Sequence, residues 1–164
     1  MLVAQGQVEE GLTQMRQSMN TCFARGGEYL RPGFLSGLAA AHGTVGQIDE
    51  GLALLTEALA VVDKTGQRMN EVALYLLKGS LLLKSGGQKK VVEAEACFRQ
   101  ALEVARRQEA KSLELQAVMS LCRLWQQQGK KDEARQLLAE VYGWFTEGFD
   151  TVDLKEAKAL LEEL

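Results

Sequence analysis

A short glycine-led motif recurs along this 164-residue chain, and its spacing constrains the fold more than any other feature. The clearest copy spans 46–55, where a glycine is followed by polar residues and then by an apolar run. The glycines that open the four copies are Gly6, Gly46, Gly86 and Gly129, at intervals of 40, 40 and 43 residues. A period of this length indicates stacked units, each buried by its neighbours, rather than one irregular core.

A second series shows where the unequal interval arises. The small residues that open the helix after each turn are Gly11, Gly51, Ala94 and Ala134, at intervals of 40, 43 and 40 residues. The long interval falls one repeat earlier here than in the glycine series, so three extra residues lie between Gly86 and Ala94. We place this insertion at 87–90.

Apolar residues within each unit recur at steps of three and four, which is the period of an α-helix. Ile48, Leu52, Leu55 and Leu59 illustrate the pattern. Eight helices are predicted, at approximately 7–25, 31–45, 47–64, 69–85, 90–108, 112–128, 131–145 and 151–164. Antiparallel helix pairs joined by tight turns stack on one another, so the sequence predicts an all-α fold, a right-handed α-solenoid.

The repeats describe one domain, 1–164, and the last helix closes it. The units span approximately 1–26, 27–66, 67–108 and 109–147. The helix at 151–164 alternates apolar with charged residues, as expected of a capping helix. Gly26 and Gly66 are predicted to be the left-handed residues that end a helix, and Ser112 and Thr151 to be N-caps.

Composition argues against nucleic-acid and membrane partners. The 19 basic and 22 acidic residues give a net charge of −3, the wrong sign for a protein that neutralises phosphates. No stretch of about 18 uncharged apolar residues is long enough to span a bilayer. The three cysteines are odd in number and lack CxxC spacing, which favours buried thiols in a reducing compartment. We therefore predict a cytoplasmic protein.

The single histidine, His42, restricts the available chemistry. One histidine excludes two-histidine metal motifs and most acid–base relays, and no GxxxxGK(S/T) motif occurs. His42 is interpreted as a core residue, with a functional group as the alternative. The carboxylate pairs at 49–50 and 132–133 recur in a first helical turn, where they interact favourably with the helix dipole. The sequence thus predicts a protein that is not an enzyme, with no catalytic, cofactor-binding or metal-binding residues and no cofactor.

The residues that pair the two helices of each unit resemble those of the tetratricopeptide repeat. In the third unit they are Tyr75, Gly79, Leu82, Ala94, Phe98 and Ala101. The second unit has Leu38, Ala39, His42, Gly51, Leu55 and Ala58, and the fourth has Leu121, Cys122, Trp125, Ala134, Leu138 and Val141. The usual unit has 34 residues, so helices longer by about a turn are expected here. His42 stands where the repeat usually has a packing aromatic residue.

Units of this length resemble the extended tetratricopeptide arrays at the C-terminal ends of large bacterial regulators, which follow signalling ATPase or cyclase modules. The segments 94–102 and 142–157 carry that resemblance. It implies a detached sensor, scaffold or interaction segment of a signalling protein, with no catalytic residue to transfer.

In such arrays the first helix of each pair lines an inner, concave surface. By register, the candidate groove residues are Ser36, Ala40, Leu76, Ser80, Leu83, Lys84, Met119, Arg123, Gln126 and Gln127. The alternative is that the groove is only exposed to water and binds no partner. The asparagine and lysine set with which some tetratricopeptide grooves hold a peptide carboxylate is missing at these places, so that mode of recognition is not expected.

The two ends of the array are expected to differ. Only 1–4 precede the first turn, so the first unit lacks most of its first helix. Met15, Met19 and Phe23 are therefore a candidate self-association face, through which a homodimer would form. At the other end, the aromatic residues Trp125, Tyr142, Trp144, Phe145 and Phe149 are expected to pack the last repeat against the capping helix, with a ligand box as the alternative.

The function predicted from these observations is a non-enzymatic protein–protein interaction module. Its partner is a protein or a peptide, bound as a peptide or helix in the groove or, in self-association, at the first unit. The alternative is an effector domain, detached from a bacterial signalling regulator, that senses a small molecule or peptide near Lys84, Arg123 and Trp125.

Overall fold

Helices joined by short turns make up residues 8–24 and 27–164, the parts of the chain that this computed structural model describes. The α-helices are α1 Val8–Ala24, α2 Arg31–Thr44, α3 Ile48–Thr65, α4 Glu71–Ser85, α5 Gln88–Arg107, α6 Lys111–Gln127, α7 Lys131–Tyr142 and α8 Val152–Glu163. A short 3₁₀ helix, Gly27–Leu30, precedes α2. These described ranges contain no strand, and the all-α prediction is confirmed.

The helices stack in the order of the sequence. Within a unit α2 packs on α3, α4 on α5 and α6 on α7, and the first helices of neighbouring units also touch. One apolar cluster joins α2, α3 and α4, and another extends from α4 and α5 to α8. Each unit is therefore buried by its neighbours, as the α-solenoid prediction requires.

Helix α8 closes the C-terminal end by lying against α6 and α7. Its buried residues are Leu154, Ala157 and Leu160. Its exposed residues include Lys155, Glu156, Lys158 and Glu162. This division into an apolar and a charged side confirms the predicted capping helix.

A large residue of each second helix meets a small residue of the first helix. Phe98 of α5 packs so closely against Gly79 that a Cβ atom on the glycine would lie 2.4 Å from the nearest ring carbon of Phe98. The same repeat places hold Ala39 with Leu55 and Cys122 with Leu138, and all six residues are buried. The two helices of each unit thus come close together where a small residue of the first helix packs against a large residue of the second.

The insertion in the third unit lengthens α5 at its beginning. Ala94 is the seventh residue of α5, whereas Gly51 is the fourth residue of α3 and Ala134 the fourth of α7. The three extra residues form nearly one additional turn before the packed part of the helix. Because they precede the packed part, the register of the buried face is unchanged.

Left-handed residues end several of the helices. Gly66 ends α3 with a φ of 72°, as predicted, while Gly26 lies outside the described residues. Thr151 occupies the predicted N-cap position of α8 with extended backbone. The Ser112 prediction is wrong: the turn after α5 leads straight into α6, whose N-cap is Ala110, and Ser112 lies in the first helical turn.

Glu109 occupies the left-handed position that Gly66 holds one unit earlier, with a φ of 54°. A side chain with a Cβ atom is disfavoured in this conformation. We expect Glu109→Gly to raise the free energy of unfolding by about 1 kcal/mol, measured by urea denaturation, and Gly66→Ala to lower it by a similar amount. A loss of stability in Glu109→Gly would contradict this account.

No helix in the described ranges is both long and apolar enough to span a lipid bilayer.

Candidate functional site

The first helices α2, α4 and α6 present one side to solvent at matching repeat places, and we call this side the inner surface. It comprises Gly33, Ser36 and Ala40 of α2, Ala73, Leu76, Ser80 and Lys84 of α4, and Gln116, Arg123 and Gln127 of α6. All of these residues are exposed or half-buried. Most of the predicted groove residues therefore lie at matching, solvent-accessible places on these three helices, and Leu83 and Gln126 are half-buried.

The inner surface changes in character along the array. At α2 it has small, uncharged side chains, and at α4 it adds Leu76 and the exposed ammonium group of Lys84. At α6 it is polar, but α8 already supplies partners there. Arg123 Nη2 lies 2.8 Å from Glu156 Oε2, and Gln116 Nε2 donates a hydrogen bond of 2.8 Å to Asp153 Oδ2. On α2 and α4, the described residues of the inner surface make no such ion pair or side-chain hydrogen bond with another helix.

Met119 does not belong to the inner surface, contrary to the sequence prediction. Its side chain is only 4% exposed and lies in the cluster that includes Leu154 and Leu160 of α8. The register places Met119 correctly on the first helix of its unit. Helix α8, which packs on α6, removes it from solvent.

The predicted self-association residues are half-buried against the second unit. Met15 packs against Leu38 of α2, and Met19 packs against the cluster shared by α2, α3 and α4. The ring of Phe23 meets that of Phe34 edge to face, with centroids 6.0 Å apart. Phe34 itself is exposed, as is Leu30, and the sequence analysis singled out neither of them as part of this face.

His42 is buried between two polar side chains. Its Nδ1 lies 2.6 Å from Gln47 Oε1, and its Nε2 lies 3.4 Å from Arg16 Nη2. Because a guanidinium only donates, these contacts fit the tautomer that carries hydrogen on Nδ1. His42 therefore serves as a hydrogen-bonded core residue beside a cavity of about 330 Å³, which supports the structural interpretation.

Two buried carboxylates hold the beginnings of α4 and α6. Glu71 accepts hydrogen bonds of 2.9 and 3.0 Å from Arg68, and Glu114 accepts bonds of 2.8 Å from Arg106 and 2.7 Å from Lys111. Burial raises the pKa of Glu114, but the hydrogen bonds and charges of Lys111 and Arg106 lower it by more, so its pKa lies below the ordinary 4.5. Both acids occupy the same repeat place and are structural.

The aromatic residues near the C-terminus divide into two groups. Tyr142 and Phe145 pack against the last apolar cluster, and half-buried Trp125 packs there too. Trp125 Nε1 donates a hydrogen bond of 3.1 Å to Glu95 Oε1. These three confirm the packing prediction, whereas Trp144 and Phe149 are exposed.

The described thiols are buried or half-buried. Burial raises the pKa of Cys122 to about 12, and burial also raises the pKa of half-buried Cys97. Both are free, and the side chain of Cys22 lies outside the described part. Nowhere in the described part do three or more histidine, cysteine or acidic residues form a group that could hold a metal ion.

No protein-family model matches this chain, and no curated protein matches it. It is similar to a crystal structure of nearly identical TPR-like repeats from a Podosopora anserina protein described as a kinesin light chain, with 22% identity and a TM-score of 0.73. A single-substitution variant of that protein gives 20% identity and a TM-score of 0.75. Each comparison covers 96% of this chain and 77% of the other.

These similarities show that the chain has the TPR-like fold, an α-solenoid of helical repeats. The identity is low enough that the likeness concerns the fold alone. The resemblance to C-terminal arrays of bacterial signalling regulators stays a prediction.

Proposed function

We propose that this chain is a non-enzymatic protein-interaction module whose inner surface binds a peptide or helix of another protein. The observation that carries the proposal is the composition of the α2–α4 part of that surface. Gly33 has no side chain and those of Ser36 and Ala40 are small, so a ligand backbone can approach closely. All three residues are accessible to solvent. Repeat solenoids generally use such an extended surface for binding.

The side chains on α4 indicate which ligand fits. Leu76 supplies an apolar contact at the middle of the helix, and Lys84 supplies a positive charge two turns later. The hydroxyl of Ser80 donates to the Leu76 carbonyl oxygen at 2.9 Å, so it can only accept from a ligand. We expect a segment with an apolar residue over Leu76 and an acidic residue near Lys84.

The test is selection of a random peptide library, displayed on phage, against the whole chain, followed by calorimetry of the selected peptides. We expect Ser80→Trp, in the centre of the inner surface, to weaken binding roughly tenfold or more by occupying the groove. The matched control is Ala60→Trp, because Ala60 is exposed on the second helix α3. This control should bind as the unaltered chain does.

Thermal unfolding of both variants shows whether the fold is intact. Equal binding by Ser80→Trp and the unaltered chain would exclude the inner surface as the site. Selection that yields no saturable peptide would also count against the proposal.

A further inference from the structure

A surface cavity of about 640 Å³ lies in the last unit, between the connection that follows α5 and the end of α7, and we call it the α5–α7 cavity. Two basic residues, three acidic residues and one tryptophan line it: Arg106, Glu109, Lys111, Glu114, Glu140 and Trp144. The lining therefore carries one net negative charge. None of these residues belongs to the inner surface.

The two basic side chains of the cavity already have an anionic partner. Glu114 accepts a hydrogen bond of 2.8 Å from Arg106 and one of 2.7 Å from Lys111. Its carboxylate lies beside both cations in the first turn of α6, which is where an anionic ligand would bind. The cavity is thus not expected to bind a phosphate or a carboxylate.

The other two carboxylates of the cavity have no such partners. Glu109 and Glu140 are exposed, and neither side chain makes an ion pair or a hydrogen bond with another described residue of the chain. Within the described ranges no acidic residues form a group that could hold a metal ion. Two unpartnered carboxylates on one cavity therefore favour an organic cation as the ligand.

The backbone of Glu109 points to the same place. Its φ of 54° is left-handed, a conformation that is disfavoured for a residue with a Cβ atom, and Gly66 holds this position one unit earlier. Non-glycine residues in this conformation are concentrated at functional sites. A carboxylate thus stands on the cavity where glycine would be more stable.

Trp144 offers a ring that can accept a cation. Its side chain is 58% exposed, and Lys111 Nζ already lies 5.5 Å from the ring centroid. Among aromatic rings, the indole attracts a cation most strongly. The places 40 residues before Glu140 and Trp144 hold Gln100 and Val104, so the repeat itself requires neither the carboxylate nor the ring.

A second cavity, of about 250 Å³, lies next to the first. Consecutive residues divide between the two: Lys111 lines the first and Ser112 the second, and Trp144 and Phe145 divide in the same way. The apolar lining of the second cavity is Leu115, Phe145 and Leu154. Because neighbouring residues are only about 3.8 Å apart, a few residues of extended chain can reach both cavities. A peptide therefore fits this arrangement better than a small free cation does.

Both ends of the described chain lie away from this site. Helix α1 packs against α2 and the 3₁₀ helix, and not against α5, α6 or α7. Lys131 Nζ donates a hydrogen bond of 3.0 Å to the Glu163 carbonyl oxygen, which places the end of α8 beside the beginning of α7. The cavity lies at the other end of α7, about 18 Å away along that helix.

We propose that the α5–α7 cavity binds an arginine side chain of a partner protein, and that an apolar residue of the same segment enters the second cavity. A planar guanidinium stacks on an aromatic ring and donates to carboxylates through a fork of N–H groups. This chemistry suits Trp144 together with Glu109 and Glu140. A lysine ammonium is a point charge and fits the three groups less well.

The test is an NMR titration of the isotope-labelled whole chain, whose two tryptophans give two indole N–H signals. Trp125 donates its indole N–H to Glu95 outside the cavity, so its signal is the internal control, and Trp144→Phe assigns the other signal. We expect N-acetyl-arginine amide to shift the Trp144 signal saturably and to leave the Trp125 signal in place. N-acetyl-citrulline amide, which has the same shape without the charge, should cause no saturable shift.

Three acetylated glycine peptides test the second cavity, each with one arginine and with a leucine two, three or four residues after it. At least one should bind about threefold or more tightly than N-acetyl-arginine amide, because the leucine is buried. Replacing that leucine with glycine should remove the gain.

Glu109→Gly and Glu140→Gln should each weaken the binding of N-acetyl-arginine amide about two- to fivefold, the effect of one exposed ion pair. Glu109→Gly is also expected to stabilise the fold, so weaker binding in that variant would not result from damage. The matched control is Glu103→Gln, at an exposed acid of α5 that does not line the cavity. This control and Ser80→Trp, which blocks the inner surface, should bind as the unaltered chain does.

Four outcomes would overturn the inference. The first is the absence of a saturable shift of the Trp144 signal, and the second is an equal shift with the citrulline probe. The third is unchanged binding in both Glu109→Gly and Glu140→Gln. The fourth is a set of peptides that bind no more tightly than N-acetyl-arginine amide, since the ligand would then be a small organic cation. None of these outcomes affects the proposed function, which is tested at Ser80.

Discussion

Gly79→Ala is expected to lower the free energy of unfolding by about 1–3 kcal/mol, although alanine is the better helix former. The added methyl group would lie 2.4 Å from a ring carbon of Phe98, and an aromatic ring in a packed core cannot yield as the end of a flexible chain can. Urea denaturation of the purified variant measures the change. The matched control is Gly37→Ala, because the methyl group there meets nothing within 4 Å.

The control should gain up to about 1 kcal/mol from helix propensity alone. A double variant then tests the cause. Phe98→Leu combined with Gly79→Ala recreates the Ala39–Leu55 pair of the second unit, so it should recover much of the stability lost in Gly79→Ala. If the two changes are simply additive, or if Gly79→Ala stabilises the protein, close packing of Gly79 on Phe98 is refuted.

Glu114→Gln is the second change with a large expected effect, a loss of about 1–3 kcal/mol at neutral pH. The carboxylate is buried and accepts hydrogen bonds from Arg106 and Lys111. An amide keeps the shape but removes the charge and can satisfy only part of that donor set. The exposed residue Glu103 of α5 provides the control, and Glu103→Gln should change stability little.

The loss of unfolding free energy in Glu114→Gln should be smaller at low pH than at neutral pH. The pKa of Glu114 is lower in the folded than in the unfolded chain, so its contribution is present above the ordinary value of 4.5. The contribution disappears as the pH falls from there through the folded value. Urea denaturation at neutral pH and at about pH 3 should therefore give a difference between the unaltered chain and Glu114→Gln that shrinks at the lower pH. An equal difference at both values would disagree with this role.

Local patterns were sufficient for the helices. The predicted and observed bounds of α2 and α3 differ by one residue at most, because apolar spacing and glycine turns act within a single helix and its connections. Helix α7 is the larger exception, since it ends at Tyr142 and not at 145. The chain leaves the helix at Gly143, its C-cap residue, and Phe145 packs against the last cluster. The sequence prediction did not use this glycine as a helix end.

The sequence by itself determined the repeat, the helix pairs, the place of the insertion and the TPR-like fold. Each of these follows from the intervals between apolar residues and glycines along the chain. Only the tertiary structure decided which equivalent positions are covered. Met119 is buried beneath α8, whereas Phe34 is open although Leu74 and Ala117 are not. The physical reason is that burial depends on the element packed against a residue: α8 lies over Met119, whereas no helix in the described part of the chain covers Phe34 as the preceding unit covers Leu74.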